Sequence, residues 1–145
     1  MLDLLVILIL LAIGYGFGSY AEQKHYKSIR KRERATLYVP IITFGAKQTI
    51  PDAQDTELFV GSVVIASDYF KTFALALRNL IGGRVVSYES LLDRGRREAL
   101  LRMKEEAIAW GASQIANVRI ETSSLSQGGR GLISIEVMAY GTGIR

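Results

Sequence analysis

Few residues in this chain have the types and spacing that chemistry needs. The chain has 145 residues, no cysteine and one histidine, His25. The lack of cysteine excludes disulfides, thiolate metal sites and cysteine nucleophiles, and one histidine cannot build a site on paired imidazoles. His25 lies in a basic segment beside an apolar run, where we expect a solvated side chain. Hydrolase chemistry would lack its usual base, so we expect no enzymatic activity, and the sequence identifies no cofactor.

The strongest candidate constellation is Gly82-Gly83-Arg84 followed by Tyr88-Glu89. A glycine turn that leaves backbone N–H groups free beside a guanidinium could bind an anion. In the structural interpretation, which we favour, the glycines end a helix and Arg84 pairs with a carboxylate. That carboxylate could be Glu89 or one from a neighbouring subunit.

A second candidate set lies on a predicted hairpin. Its polar residues are predicted to share one face and could line the interior of a ring: Asn117, Arg119, Glu121 and Glu136. A cross-strand ion pair among them is the interpretation that we favour. The Gly-rich stretch 126–131 lacks the Gly-Lys-Ser/Thr of a phosphate loop, so it predicts a hairpin turn.

The first element that would position these residues is an apolar segment. Residues 4–21 contain no charged residue, and 18 residues at about 1.5 Å of rise span roughly 27 Å, close to the hydrocarbon thickness of a bilayer. The pattern predicts a transmembrane helix over residues 1–21, followed by a basic juxtamembrane linker over residues 22–35. The linker's six cations are Lys24, Lys27, Arg30, Lys31, Arg32 and Arg34.

The main alternative for the apolar segment is a cleaved signal peptide. Such a peptide carries a positive residue before the apolar run, whereas this chain has Asp3 there, although residues 19–21 form a passable cleavage triplet. Because Lys and Arg near a spanning helix stay on the cytoplasmic side, we expect a single-pass protein of the bacterial inner membrane. Its N-terminus would lie outside and its domain in the cytoplasm. Gly14 and Gly18 could pack against another membrane helix, or could reflect how common glycine is in such helices.

The charge balance argues against a nucleic-acid partner. Residues 1–34 carry six basic and three acidic side chains, and the remainder carries twelve and eleven, so the local net charges are +3 and +1. The basic character therefore belongs mainly to the membrane flank, where it could attract anionic lipid headgroups.

Residues 36–145 suit one small α+β domain. The predicted elements are an edge strand or extended segment over 37–44, a strand covered on both faces over 58–66, a helix over about 67–81, a helix over 88–110, and a hairpin over 116–139. The resulting order is β-α-α-β-β. The polar face of such a thin sheet needs water or a neighbouring subunit.

The helix predicted over 88–110 has two distinct faces. Its inner stripe is Leu92, Gly95, Ala99, Met103, Ala107 and Trp110. Its outer side carries i,i+4 charge pairs, which predict a solvated face: Asp93–Arg97, Arg94–Glu98, Glu98–Arg102 and Arg102–Glu106. Ser87 is the predicted N-cap and Gly111 the predicted stop. Gly95 is costly in mid-helix, so it predicts a close contact.

Several of these pieces resemble the YbjQ family, small bacterial proteins often labelled heavy-metal-binding. The matching residues are 70–84, Tyr88-Glu89, 96–99, 109–112 and 137–143, within a resemblance that covers about residues 57–145. The resemblance implies a dodecin-like subunit that assembles into a ring, most often a pentamer, and implies no known activity. Since the domain has neither Cys nor His, only carboxylates could bind a metal there, and they suit Mg²⁺ or Ca²⁺ better than a heavy metal.

We therefore expect a membrane-anchored, ring-forming binding or scaffold subunit whose protein partner the sequence does not identify. The alternative is a carrier or sensor of a small anionic ligand or divalent metal ion, bound at subunit junctions.

Overall fold

One long N-terminal helix precedes a mixed four-stranded sheet with a second helix packed on it. The computed structural model describes residues 2–45, 47, 53–66, 86–126 and 133–145. Its elements are α1 (Leu2–Ala35), β1 (Ile41–Ile42), β2 (Thr56–Ala66), α2 (Val86–Trp110), β3 (Gln114–Ser126) and β4 (Ile133–Ile144). The predicted α+β class is confirmed. The helix predicted over 67–81 and the Gly-rich turn at 127–131 lie outside the described residues.

Helix α1 runs without a break for 34 residues, through the segment predicted as a linker. Residues 22–35 contain no Gly or Pro and consist largely of Glu, Gln, Lys and Arg, which are good helix formers. The helix ends where the Thr36 N–H donates to Arg32 O at 3.1 Å, and Pro40 follows shortly after. In the described part of the chain, α1 is the one helix long and apolar enough to cross a membrane, and its apolar window is not buried against the domain.

The sheet has the strand order β1-β3-β4-β2. Short β1 runs parallel to β3, with Ile41 opposite Ile115, and the other two pairings are antiparallel. The edge strand predicted within 37–44 is confirmed, because β1 lies at the edge of the sheet. The Pro40 carbonyl accepts from the Ile115 N–H at 3.0 Å, which extends this pairing towards α1.

Helix α2 packs over β2 and β4 through the predicted apolar stripe, in which Ala99, Met103 and Ala107 are fully buried. Two glycines permit the close approach. A Cβ on Gly61 of β2 would collide with the backbone of Ala99 and Met103, and a Cβ on Gly95 would lie 2.7 Å from Val137 Cγ2. The close contact predicted at Gly95 is confirmed.

Only one of the two predicted ends of α2 is correct. The helix begins at Val86, so Ser87 lies inside it and the N-cap predicted there is wrong. At the other end Gly111 has a φ of 100°, its N–H donates to Ile108 O at 2.9 Å, and the Ala112 N–H donates to Ala107 O at 3.0 Å. This is a Schellman motif, in which glycine supplies the left-handed residue, so the predicted stop at Gly111 is confirmed.

Strand β3 contains a bulge that the sequence pattern does not show. Between the pairs Ala116–Thr142 and Arg119–Tyr140, two residues of β3 face one residue of β4. Asn117, at the bulge, has a φ of 51°, a conformation that Asn tolerates better than most residues. As a result Ile115 and Ala116 are both buried, and the regular alternation predicted from Ala116 onwards is wrong at this point.

Strand β2 is covered on one face only. Phe59, Gly61 and Ile65 are buried on the side of α2, whereas the opposite side chains are exposed. The prediction that both faces are covered is therefore wrong for the single chain, because α2 lies on one side of the sheet.

Candidate functional site

The exposed face of the sheet, on the side away from α2, brings together many of the predicted candidates. Three cross-strand rows define it by register: Val60–Tyr140–Arg119, Ser62–Met138–Glu121 and Val64–Glu136–Ser123. Leu58 lies at the end of the same face, opposite Thr142. We call the nine residues of these rows, together with Leu58, the exposed sheet face.

This face is divided into an apolar half and a polar half. On the apolar half, Leu58 is 63% exposed, Val60 43%, Val64 59% and Met138 38%. Side chains of this kind gain about 1.5–3 kcal/mol each from full burial, so four of them beside one another are costly to leave in water. The polar half is formed by β3 together with Glu136 of β4.

Arg119, Glu121 and Glu136 lie on this one face, as the sequence predicts. The predicted cross-strand ion pair is wrong among the described residues, because Arg119 faces Tyr140 and Glu121 faces Met138. Asn117 does not join them. The bulge holds it apart, and its Oδ1 accepts from the Phe44 N–H at 2.8 Å, so it fixes the segment that follows β1.

The constellation Gly82-Gly83-Arg84 lies outside the described residues, so the anion-site and structural interpretations both stay predictions. Tyr88 and Glu89 fall in the first turns of α2, where Glu89 is exposed. Gly14 and Gly18 lie one turn apart in α1, each half-buried.

A second cluster, which the sequence reading missed, joins α1 to α2. Arg32 of α1 lies between two carboxylates of α2: its Nη1 donates to Glu98 Oε2 at 3.0 Å and its Nε donates to Glu105 Oε1 at 2.7 Å. Glu98 is only 3% exposed and also accepts from Arg102 Nε at 2.9 Å. Two guanidinium groups thus neutralise one buried carboxylate, which satisfies the requirement for burying a charge.

A parallel pair reinforces this contact one turn away. Arg97 of α2 binds Glu33 of α1 through two hydrogen bonds, Nε to Oε1 at 2.8 Å and Nη2 to Oε2 at 2.7 Å. The Arg97 guanidinium also lies 5.7 Å from the centroid of the Tyr26 ring, and the Tyr26 hydroxyl donates to Ser90 O at 3.1 Å. We call Arg97, Glu33 and Tyr26, together with Arg32, Glu98, Glu105 and Arg102, the α1–α2 ion-pair network.

His25 lies at the border of this network. Its Nε2 is 4.0 Å from Glu98 Oε2, and its Nδ1 is buried without a hydrogen-bond partner. The expectation of a solvated side chain is therefore wrong for one ring nitrogen, although 41% of the side chain remains exposed.

The network holds Glu98 in its charged form. Burial alone would raise the pKa of Glu98, but the hydrogen bonds from Arg102 and Arg32 outweigh burial and hold the pKa below its ordinary value. On the same helix, burial lowers the pKa of Lys104.

The predicted solvated outer face of α2 is accordingly wrong at Arg97 and Glu98, whereas Asp93, Arg102 and Glu106 are exposed as predicted. Of the four i,i+4 pairs, the structure shows Asp93–Arg97 at 3.7 Å and Glu98–Arg102 at 2.9 Å, and Arg97 and Glu98 reach across to α1 as well. One signal could have indicated this contact: Glu98 and Glu105 are seven residues apart, so they share a helix face and can both meet one cation on a neighbouring helix.

These features define a class of small α+β domain that carries a long apolar helix at its N-terminus. The sequence profile of the YbjQ family, described as "Putative heavy-metal-binding", matches residues 45–145, and the chain belongs to this family. The resemblance stated from the residues is confirmed.

Curated relatives match most of the domain. A UPF0145 protein of Halobacterium salinarum is 36% identical over 104 residues, which cover 70% of this chain and 95% of the relative. A UPF0145 protein of Archaeoglobus fulgidus is 35% identical over 107 residues, 72% of this chain and 94% of the relative. The crystal structure of a protein of unknown function from Pediococcus pentosaceus, in the DUF74 family, is 20% identical with a TM-score of 0.39 and covers 72% of this chain and 92% of its own. A TM-score this low does not establish a shared fold.

The residues present do not fit the heavy metal of the family's description. The chain has no thiolate, its one imidazole lies beside a carboxylate that two arginines already occupy, and the described residues contain no cluster of three or more His, Asp or Glu that could hold a metal ion. Soft metals prefer the thiolate and imidazole ligands that are missing here.

Proposed function

We propose that this protein is a membrane-anchored binding or scaffold subunit that assembles into a ring, most simply a pentamer, and that it has no catalytic role. The observation that carries this proposal is the exposed sheet face. A second copy of the chain is the occupant that we propose for it.

The exposed side chains and the unpaired edge of β2 support a second copy of the chain as the occupant. Leu58, Val60 and Val64 give the exposed side of this strand an apolar character that a solvated strand does not need. Among the described strands, β2 also has a neighbour on one side only, which leaves an 11-residue edge able to pair with another strand. Exposed apolar patches and long edges of this kind are typical of subunit contacts.

A ring follows from an asymmetric contact of this sort. When one surface of a subunit binds a different surface of the next, the contact repeats head to tail, and it closes into a ring where the rotation allows. The polar half of the exposed sheet face, with Arg119, Glu121 and Glu136, would then lie near the interior of the ring. The pentameric number rests on the family resemblance alone.

Anchoring rests on the first half of α1. Its apolar window is not buried against the domain, which disfavours a role as a core helix and leaves a membrane span or a signal peptide. The cations after Ala21 favour a retained anchor with the domain in the cytoplasm.

The assembly is tested on the full chain in detergent by light scattering. We expect the wild-type protein to be an oligomer, and Leu58→Asp and Val64→Asp to dissociate it. The matched control is Leu37→Asp, because Leu37 is 72% exposed in the single chain but lies outside the sheet. A wild-type monomer at micromolar concentration, or equal dissociation by the control, would contradict the proposal.

The anchor is tested in cells. The intact protein should resist carbonate extraction, and a reporter fused after Arg145 should behave as cytoplasmic. A mature N-terminus at Glu22 would show instead that the apolar segment is a cleaved signal peptide.

A further inference from the structure

The basic residues of α1 divide into two groups according to the side of the helix they occupy. Arg32 belongs to the α1–α2 ion-pair network. The other five are exposed: Lys24, Lys27, Arg30, Lys31 and Arg34. At about 100° per residue these five fall within an arc of about 120°, and the centre of that arc lies about 160° from Ile29, which is fully buried. The helix thus turns one side to the domain and a stripe of cations, which we call the basic stripe, to the opposite side.

The basic stripe is not neutralised by its surroundings. In the part of the chain that the structure describes, none of its five cations forms a salt bridge, and Glu33, on which Arg30 acts at longer range, is bound to Arg97. Several of the cations are three or four residues apart, as Lys27–Lys31 and Arg30–Arg34 are, and like charges at this spacing destabilise a helix. An anionic partner would remove that cost.

The distance from the apolar segment indicates which anion. At about 1.5 Å per residue, Lys24 lies about 4.5 Å beyond Ala21, Lys27 about 9 Å and Arg30 about 13.5 Å. The headgroup layer is about 5–8 Å deep on each side, and helical side chains lean towards the N-terminus, here back towards the membrane. Lys24, Lys27 and Arg30 can therefore reach headgroup phosphates. Arg34, about 20 Å beyond Ala21, lies more than a Debye length of about 8 Å past that layer.

A groove lies along α1 at the same distance from the apolar segment as Lys27 and Arg30. It has a volume of about 320 Å³ and is lined by Gln23, Tyr26, Lys27 and Arg30. Two cations and an amide donor on one wall suit the oxygens of a phosphodiester, and an aromatic ring is typical of the membrane interface.

We propose that Lys27 and Arg30, with Lys24 and Gln23 beside them, form a binding site for the headgroup of an anionic phospholipid. This site rests on the proposed membrane anchoring, since it needs the apolar segment to place it at the headgroup layer. Its cations point away from the buried Ile29, whereas Tyr26, which lines the groove, also contacts α2, so the site borders the α1–α2 ion-pair network.

The chain supplies a matched control for the test. Lys27 and Arg30 are a lysine and an arginine three residues apart, and Lys31 and Arg34 repeat the same types and spacing one turn further from the membrane. The double variants K27Q/R30Q and K31Q/R34Q therefore remove the same charge from the same stripe at two distances from the bilayer.

The full-length protein is reconstituted into vesicles of phosphatidylcholine containing a minority of phosphatidylglycerol, re-extracted gently, and its retained lipids are identified by native mass spectrometry. We expect phosphatidylglycerol to be enriched several-fold over its share in the vesicle. Since each cation contributes about 1 kcal/mol, or about fivefold, K27Q/R30Q should abolish the enrichment and return phosphatidylglycerol to near its share in the vesicle. K31Q/R34Q should keep most of the enrichment.

Equal enrichment in the two double variants, or no enrichment in a wild-type protein that inserts normally, would overturn the proposed site. Insertion is measured separately, by co-flotation at alkaline pH with vesicles of phosphatidylcholine alone. A wild-type protein that fails to float there would contradict the anchor itself, so the two proposals fail in different ways.

Discussion

The two sides of α2 are buried by different means. On one side Ala99, Met103 and Ala107 pack on the sheet, and Gly61 lets the backbones of β2 and α2 approach closely. On the other side Glu98 is buried almost as completely, but beneath the guanidinium of Arg32. The first contact depends on shape and the second on charge.

This difference separates what each contact can contribute. Apolar packing stabilises in proportion to the area removed from water, whereas a buried ion pair must first offset the desolvation of both charges. A buried pair therefore adds little net stability against an apolar substitute, yet removal of one partner is costly because the other stays buried. We infer that the sheet side of α2 holds the domain together, and that the network fixes where α1 lies.

The largest effect on stability should come from a change on the side of α2 that packs on the sheet. Gly61→Ala places a Cβ against the backbone of Ala99 and Met103, which cannot move aside as a side chain can, so we expect a loss of more than about 3 kcal/mol in the free energy of unfolding. Gly95→Ala meets only the Val137 side chain and gains helix propensity, so it should cost less. Urea unfolding followed by the fluorescence of Trp110 measures both. Gly16→Ala, which meets nothing within 4 Å, is the control, and an equal effect from all three would contradict this account.

The next effect tests the charged side. Arg32→Met leaves Glu105 unpaired and leaves the buried Glu98 with Arg102 alone, so we expect a loss of about 2–3 kcal/mol, below the 3–5 kcal/mol of a pair that loses its sole partner. Adding Glu98→Gln should recover part of the loss, because it removes the buried charge. Hydrogen exchange across residues 22–35 should rise in Arg32→Met while exchange in β4 changes little. A uniform rise across the whole chain would show that the network is part of the core.

The same contrast explains what the sequence could predict. The apolar stripe of α2 and the hairpin partner strands repeat at helical or strand spacing, so periodicity predicts them, and the stop at Gly111 follows from glycine's tolerance of a positive φ. The network has a weaker signal. The spacing of Glu98 and Glu105 places both on one helix face, but Arg32 is 66 residues away from Glu98, and Arg102 offers Glu98 a partner within its own helix. A charged face on a helix is ordinarily solvated, and only the position of α1 makes it an interface.

The candidate sites show the same limit. The face that a side chain occupies follows from the alternating pattern, so the common face of Arg119, Glu121 and Glu136 was predictable. The absence of an ion pair depends instead on the register, which decides which residues stand opposite. At the bulge, Asn117 Oδ1 accepts a hydrogen bond from the Phe44 N–H, 73 residues away in the chain, and no local pattern reports this contact. The apolar residue types of β2 predict burial on both faces, but the single chain leaves one face open because α2 lies on the other side of the sheet.

Acid should weaken the contact of α2 with α1, which depends on charge, before it weakens the packing of α2 on the sheet. The pKa of Glu98 lies below its ordinary value in the folded protein, so its stabilising contribution is complete above the unfolded pKa of about 4.3 and is lost as the pH falls through the folded value. We expect the difference in free energy of unfolding between the wild-type protein and Glu98→Gln to shrink steadily below about pH 4. The difference between wild-type and Gly61→Ala should stay constant over the same range. Parallel pH dependence of the two differences would contradict the assignment.

The smallest effect should come from the outer pair of the network. Arg97 and Glu33 make two hydrogen bonds, but their side chains are 28% and 36% exposed, so water competes with them. A double-mutant cycle with Arg97→Gln and Glu33→Gln should give a coupling energy below about 1 kcal/mol, and the same cycle with Arg32→Gln and Glu98→Gln should give a larger one. The Tyr26 ring beneath Arg97 is a separate contribution, and Tyr26→Leu isolates it by removing the π face while keeping apolar contact. If the Arg97–Glu33 coupling energy equalled that of Arg32–Glu98, burial would not be what distinguishes the two pairs. The position of α1 would then depend on the number of ion pairs and not on the buried Arg32–Glu98 pair in particular.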